Sequence, residues 1–255
     1  MSNLLYNWLI GEMGTPGEYQ YRSIHLYSTL AVGLAAAVFF YLAFRLRKDP
    51  RRSRYLLVSV SVFHLAFEVF WRIIYLFVKK ASLLSWWPVY PCNLGGLLLP
   101  VIALTNWKRG KQMFYLFGFV GSILTFALPE GIFCRDVLVF PILKSILQHT
   151  GLLLIPVLEL IGGTYRPTLG DMGWVTAGCT VHLVNCEVID RLLGFTGDYM
   201  FFRSGLPFVI PGVPQNVTLS VFALAVLSLL SLLCDPKGSR SFLHGIRHKQ
   251  QALSP

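Results

Sequence analysis

The sequence predicts an all-α fold, a polytopic membrane bundle of about seven transmembrane helices. Three observations predict it. Of the 255 residues, 55% are hydrophobic and only 13% charged, about half the charged share of a soluble domain, and the mean hydropathy is +0.59. Apolar runs recur along the chain, most of them close to the ~20 residues that a helix needs to cross a hydrocarbon layer. The net charge of +10 is concentrated in the short segments between those runs. That is the pattern of membrane topology, and it excludes a nucleic-acid-binding surface.

Taken in order, residues 1–23 hold Trp8, Gly14, Pro16 and Gly17 and read as an interfacial segment with a turn. Apolar runs then fall at 24–45, 55–78, 86–105, 112–129, 137–161, 172–192 and 207–234. Runs of this length are helices, because lipid offers the backbone no hydrogen-bond partner. They make one transmembrane domain over 24–234, followed by a basic tail over 235–255. The segment from Gly194 to Asn216 is long and aromatic for a loop, so it is expected either to pack on the bundle as a lid or to turn back at the interface.

Orientation follows from Lys and Arg. Arg45, Arg47, Lys48, Arg51, Arg52, Arg54, Lys108, Arg109, Lys111, Arg166 and the tail's Lys237, Arg240, Arg247 and Lys249 fall on one side, against Arg22, Lys79, Lys80, Arg135, Arg191 and Arg203 on the other. The bias places the N-terminus outside or lumenal and the C-terminus in the cytoplasm. Residues 1–20 lack a basic start, apolar run and cleavage site, so no signal peptide is expected. A multi-pass integral protein follows, of a bacterial inner membrane or of the endoplasmic reticulum or Golgi.

Ionisable groups inside a membrane are costly and point to function or to a named partner. His64, Glu68 and Arg72 recur at every fourth residue and share one helix face. They make either a structural ion pair or a polar wall that orients a reacting group. Lys144 and Gln148, and Ser145 and His149, are likewise four apart, as are His182 and Cys186, with Asn185 beside them. By helical rise, Cys92 would lie roughly 9 Å below the outer surface, His149 roughly 18 Å, and Glu68 and His182 roughly 15 Å. These groups therefore converge in the outer half of the bundle.

Cys92 follows Pro91 and precedes Asn93, Gly95 and Gly96. A thiol there is a nucleophile, a disulfide partner or a packing residue. Beside a histidine, a thiolate attacks an ester carbonyl to give a thioester, with the imidazole as acid and base. Asn93 or nearby backbone N–H groups would hold the oxyanion. The five cysteines have no metal-ligand spacing, so neither a metal nor a cofactor is expected.

Pro91-Cys92-Asn93, Gln148-His149-Thr150-Gly151 and Gly197-Asp198-Tyr199-Met200-Phe201-Phe202-Arg203 resemble, in the same order, motifs of the transmembrane protein 164 family, which includes bacterial YwaF-like proteins. The chain differs in having Tyr90 where members often carry a histidine, and Asp198 where the loop motif usually has asparagine. The resemblance implies a seven-helix-like membrane protein and a lipid transacylase without CoA. It would move an acyl chain between phospholipid and lysophospholipid through a cysteine acyl-enzyme. Cys92 would be the nucleophile and His149 its base. Asn93, His64, Glu68, Arg72, Gln148, His182, Asn185, Asp198, Tyr199 and Arg203 would support the site.

Other functions remain open at this point. The same Cys/His pair would serve a fatty-ester or phospholipid hydrolase. A transporter would be expected to show broken helices in corresponding halves, and a retinal protein a lysine in the last span, which 208–234 lacks. In a non-enzymatic scaffold, the polar groups would serve only to join helices.

Overall fold

In the computed structural model, the described residues are 3–10, 18–80, 82–128, 132–197, 213 and 215–238, and every regular element among them is helical. The helices are α1 (Asn3–Ile10), α2 (Ser23–Leu46), α3 (Pro50–Val78), α4 (Pro91–Thr105), α5 (Lys108–Ala127), α6 (Phe140–Ile161), α7 (Met172–Leu183), α8 (Asp190–Leu192) and α9 (Gln215–Cys234). Three of them, α2, α3 and α6, are long and apolar enough to cross a membrane by length and composition. The helix α4 and residues Val221–Cys234 of α9 are shorter apolar elements.

Helix α6 occupies the centre, with α2, α3, α4 and α5 packed around it and α7 lying against α5. The main core joins Leu57 of α3, Leu99 and Ile102 of α4, Tyr115 of α5, and Leu152 and Ile155 of α6. Helix α2 is peripheral. It exposes Leu26, Leu30, Leu34 and Val38, a stripe at every fourth residue that suits contact with lipid. Trp8 ties α1 to the start of α6, donating from Nε1 to the Leu138 carbonyl at 3.0 Å and packing on Phe140 at 5.2 Å.

Several boundaries differ from those the hydropathy predicts, each for a local reason. Helix α3 starts at Pro50, five residues before the expected 55, because Asp49 caps it by accepting from the Arg52 N–H at 3.1 Å and Pro50 opens its first turn. Arg51, Arg52 and Arg54 are therefore helical. Helix α5 begins at Lys108, which makes Lys111 a buried helix residue instead of a loop cation.

The expected span 86–105 is broken. Leu83–Trp86 forms a 3₁₀ turn, Trp87 and Tyr90 are extended (ψ 132° and 151°), and α4 starts only at Pro91. Pro88 and Pro91 force this, since each pushes the residue before it out of the helical region. Residues 172–192 stay helical throughout, but Val184–Ile189 is wound as a π-helix. The expected span 207–234 is described only from Gln215, apart from residue 213.

Close packing depends on missing side chains at two interfaces. A Cβ on Gly178 of α7 would stand 2.0 Å from the Met113 carbonyl oxygen of α5, and one on Gly151 of α6 would stand 2.0 Å from Nδ1 of His64. Gly178→Ala is expected to destabilise the protein by about 1–3 kcal/mol, because backbone has to move. Gly33→Ala, whose Cβ would meet nothing within 4 Å, should leave stability equal or slightly raised. Thermal unfolding of the two variants in one detergent checks both.

Candidate active site

The site is built from the start of α4 upward. Pro91 supplies no N–H, and the Asn93 and Leu94 N–H groups both bond the Tyr90 carbonyl at 3.0 and 3.1 Å. No side chain caps the helix. Cys92, half-buried, occupies this first turn, with its sulfur 4.0 Å from Asn93 Oδ1. An uncapped helix start directs positive potential at such a position.

Polar groups from α3 and α6 hold that turn inside the bundle. Gln148 donates from Nε2 to the Cys92 carbonyl at 2.8 Å and to Asn93 Oδ1 at 3.1 Å. The ammonium of Lys144 donates to Gln148 Oε1 at 2.7 Å and to Asn93 Oδ1 at 3.1 Å. Lys144 also stands 3.7 Å from Glu68 Oε1, while Arg72 binds Glu68 Oε2 at 2.7 Å. Arg72 then reaches the Trp86 carbonyl at 3.4 Å. Glu68 is fully buried, and Gln148, Lys144 and Arg72 nearly so. One carboxylate thus joins a cation of its own helix to a cation of α6. Gly96 makes room, since a Cβ there would meet Gln148 Nε2 at 2.8 Å and the Glu68 carboxyl carbon at 3.2 Å.

The linker before α4 is held from the other side by the π-helical segment. Asn185 donates from Nδ2 to the Pro88 carbonyl at 2.8 Å, and the Cys186 thiol donates to the Val89 carbonyl at 3.3 Å. A π turn carries one more residue than an α turn, and here that segment turns two polar side chains onto one linker. Cys92 is therefore deep for a different reason from the one its position in a continuous 86–105 helix suggests. The 83–90 segment descends beside Arg72, which lies six residues from the end of α3, or ~9 Å at the helical rise.

The structure brings together Cys92, Asn93, Gln148, Glu68 and Arg72 of the sequence-predicted site, with Asn185 behind the linker. His64 lies on the same buried face of α3, with its Nε2 unpartnered among the described residues. His149 donates from Nδ1 to the Ser145 carbonyl at 2.8 Å, so its Nε2 carries the lone pair of the neutral ring. That ring packs on Phe126 at 6.3 Å, and no hydrogen bond joins it to Cys92 among the described residues.

His182 stands apart, stacked on Phe117 at 4.5 Å and edge-on to Phe114 at 5.6 Å. Asp198, Tyr199 and Arg203 lie outside the described residues. Sequence reasoning left Lys144 out of the site. Its signal was a lone cation in an apolar helix, four residues before Gln148. All five cysteines are free thiols.

A family model described as the TMEM164 family matches residues 19–234, from just before α2 to the end of α9. The chain belongs to the TMEM164 family. No curated protein and no solved structure is found to match it. As a TMEM164-family member with several apolar helices, it is a multi-pass integral membrane protein. In such a protein the Glu68 network lies where unpaired charge is costly. Glu68→Gln is expected to destabilise this TMEM164-family protein by about 3 kcal/mol, since it leaves two buried cations without their carboxylate. Arg52→Ala, at an exposed pair, should be close to neutral. Unfolding in mixed micelles of both variants decides whether the buried pair is structural.

Proposed function

We propose that this TMEM164-family chain is a membrane-embedded lipid acyltransferase working without CoA through an S-acyl intermediate on Cys92. The observation that carries the proposal is the placement of a thiol in the first turn of a helix with no side-chain cap, a turn that Gln148 holds to the bundle.

With phospholipid bound, the Cys92 thiol gives its proton to His149 Nε2, and the sulfur attacks the ester carbonyl carbon. The tetrahedral oxyanion forms at the α4 start, where the helix dipole favours developing negative charge. Collapse breaks the ester C–O bond. The departing lysophospholipid oxygen takes the proton back, and the acyl group stays on sulfur. A second lysophospholipid hydroxyl then loses its proton to His149 and attacks the thioester, which returns the thiolate. The network of Asn93, Gln148, Lys144 and Glu68 fixes the turn that carries the sulfur, so that no reorganisation is needed as charge develops.

The topology that goes with this function is seven spans, with the N-terminus outside or lumenal and the C-terminus cytoplasmic, as the charge bias supports. The substrates are phospholipid and lysophospholipid drawn from the bilayer, and no cofactor enters the scheme.

The test is turnover of labelled phospholipid by purified protein, with intact mass read before and after hydroxylamine. Wild type should gain one hydroxylamine-labile acyl group on Cys92, Cys92→Ala none, and His149→Ala should turn over at least about 100-fold more slowly while remaining folded. Turnover by Cys92→Ala at the wild-type rate would overturn the acyl-enzyme. Free fatty acid in place of acylated acceptor would assign hydrolysis. No adduct and no turnover in any lipid mixture would leave a transporter or scaffold.

A further inference from the structure

The buried cluster beside Cys92 carries more positive charge than its carboxylate balances. Glu68 meets Arg72 at 2.7 Å and Lys144 at 3.7 Å, one carboxylate against two cations within ion-pair distance. Arg72 has the shorter contact and bonds the Glu68 carbonyl as well, at 3.3 Å. That pair is balanced by itself. Lys144 is the surplus.

A surplus cation is costly in this place. Lys144 is 7% exposed, in a helix long and apolar enough to cross a membrane, and a buried charge there needs an anion. Its closest partners are neutral, Gln148 Oε1 at 2.7 Å and Asn93 Oδ1 at 3.1 Å. Together with Glu68 they match the three N–H bonds of an ammonium, which leaves none to bond a ligand. What Lys144 offers beyond this shell is its charge.

The Cys92 thiol is placed to receive it. Its sulfur lies 4.0 Å from the same Asn93 Oδ1 that Lys144 bonds at 3.1 Å. At most about 7 Å therefore separates ammonium from sulfur, a distance over which a full charge acts strongly in buried surroundings. Gln148 fixes the geometry by bonding both Asn93 Oδ1 and the Cys92 carbonyl. The other titratable groups around this turn do not take the role. His64 of α3 and His149 of α6 bring no negative charge. On the π-helical side, Glu187 pairs with Arg191, the Cys186 thiol donates to the Val89 carbonyl, and the Asp190 carboxylate has no hydrogen-bond partner among the described residues.

We propose that Lys144 is the charge partner of the Cys92 thiolate, its ammonium stabilising the anionic sulfur from behind the Asn93 carboxamide. When the S–H bond breaks, the proton goes to His149, the electron pair stays on sulfur, and Lys144 keeps its own protons. Lys144 is thus a positioning residue that acts through its field. Its use in acyl transfer rests on the acyl-enzyme reading, whereas the charge pairing can be measured without turnover.

The experiment uses the full chain in phosphatidylcholine nanodiscs, with the other four cysteines replaced, as wild type, Lys144→Met and Lys144→Gln at position 144. The rate of Cys92 alkylation by iodoacetamide is followed from about pH 6 to about pH 10. Glu68 remains balanced by Arg72 in both variants, so both should fold, as gel filtration reads. The midpoint of the alkylation profile should rise by at least about one pH unit in each variant. Turnover of labelled phospholipid near neutral pH should fall at least about tenfold, the gap narrowing above the variants' midpoint. A merely structural Lys144 would change the limiting rate and leave the midpoint in place. Equal midpoints in wild type and a folded variant would overturn the proposal, as would loss of the fold in both variants. A raised midpoint in the variants, with no acyl adduct on wild type, would support the charge pairing and overturn the acyl-enzyme instead.

Discussion

The carboxylate of Glu68 is the point on which the rest of the bundle depends. It is fully buried, and it holds Arg72 on its own helix and Lys144 on α6 at once. In lipid surroundings neither cation is tolerable alone, so their shared anion sets where α3 and α6 must meet. Once they meet, Lys144 and Gln148 face α4 and take up the Asn93 side chain and the Cys92 carbonyl. The position of a thiol on one helix thus follows from the charge balance of two others. Gly96 and Gly151 let this happen by admitting Gln148 and His64 where any side chain would collide.

A second polar node sits at the far end of the same helices. Glu159 of α6 meets Lys111 and Tyr115 of α5 and Thr164 of the following loop. Arg54 of α3 closes the end of α4, donating to the Ala103 and Leu104 carbonyls at 2.7 Å each. Helix α4 is therefore pinned at both ends, its first turn by Gln148 and its last by Arg54. Its length of 15 residues is short of the ~20 needed to cross a bilayer. A short helix with satisfied ends is permissible at membrane depth because protein, not lipid, covers its open backbone groups.

How much of this the sequence revealed varies with the range of the interaction. Helical character and the shared face of His64, Glu68 and Arg72 were legible, because both rest on local periodicity. The break before Pro91 was visible only as two prolines in an apolar run, and hydropathy averaged over it. Lys144 was legible as a charge in need of a partner, but its meeting with Glu68 is between helices and leaves no spacing to read. Lys111 was misplaced among loop cations, since only its contact with Glu159, 48 residues away, distinguishes it from Lys108. The stacking of His182 on Phe117 is likewise a contact between helices that no spacing announces.

The polar network, and Gln148 above all, holds the half-buried Cys92 against the bundle. The rate of alkylation of Cys92 by N-ethylmaleimide tests it most directly, in a chain whose other four cysteines are replaced. Folding of each variant is to be verified by gel filtration. Slow alkylation is expected with Gln148 present. In Gln148→Leu the rate should rise at least about tenfold, since even one of its buried hydrogen bonds is worth about that much. Equal rates in the two proteins would contradict it.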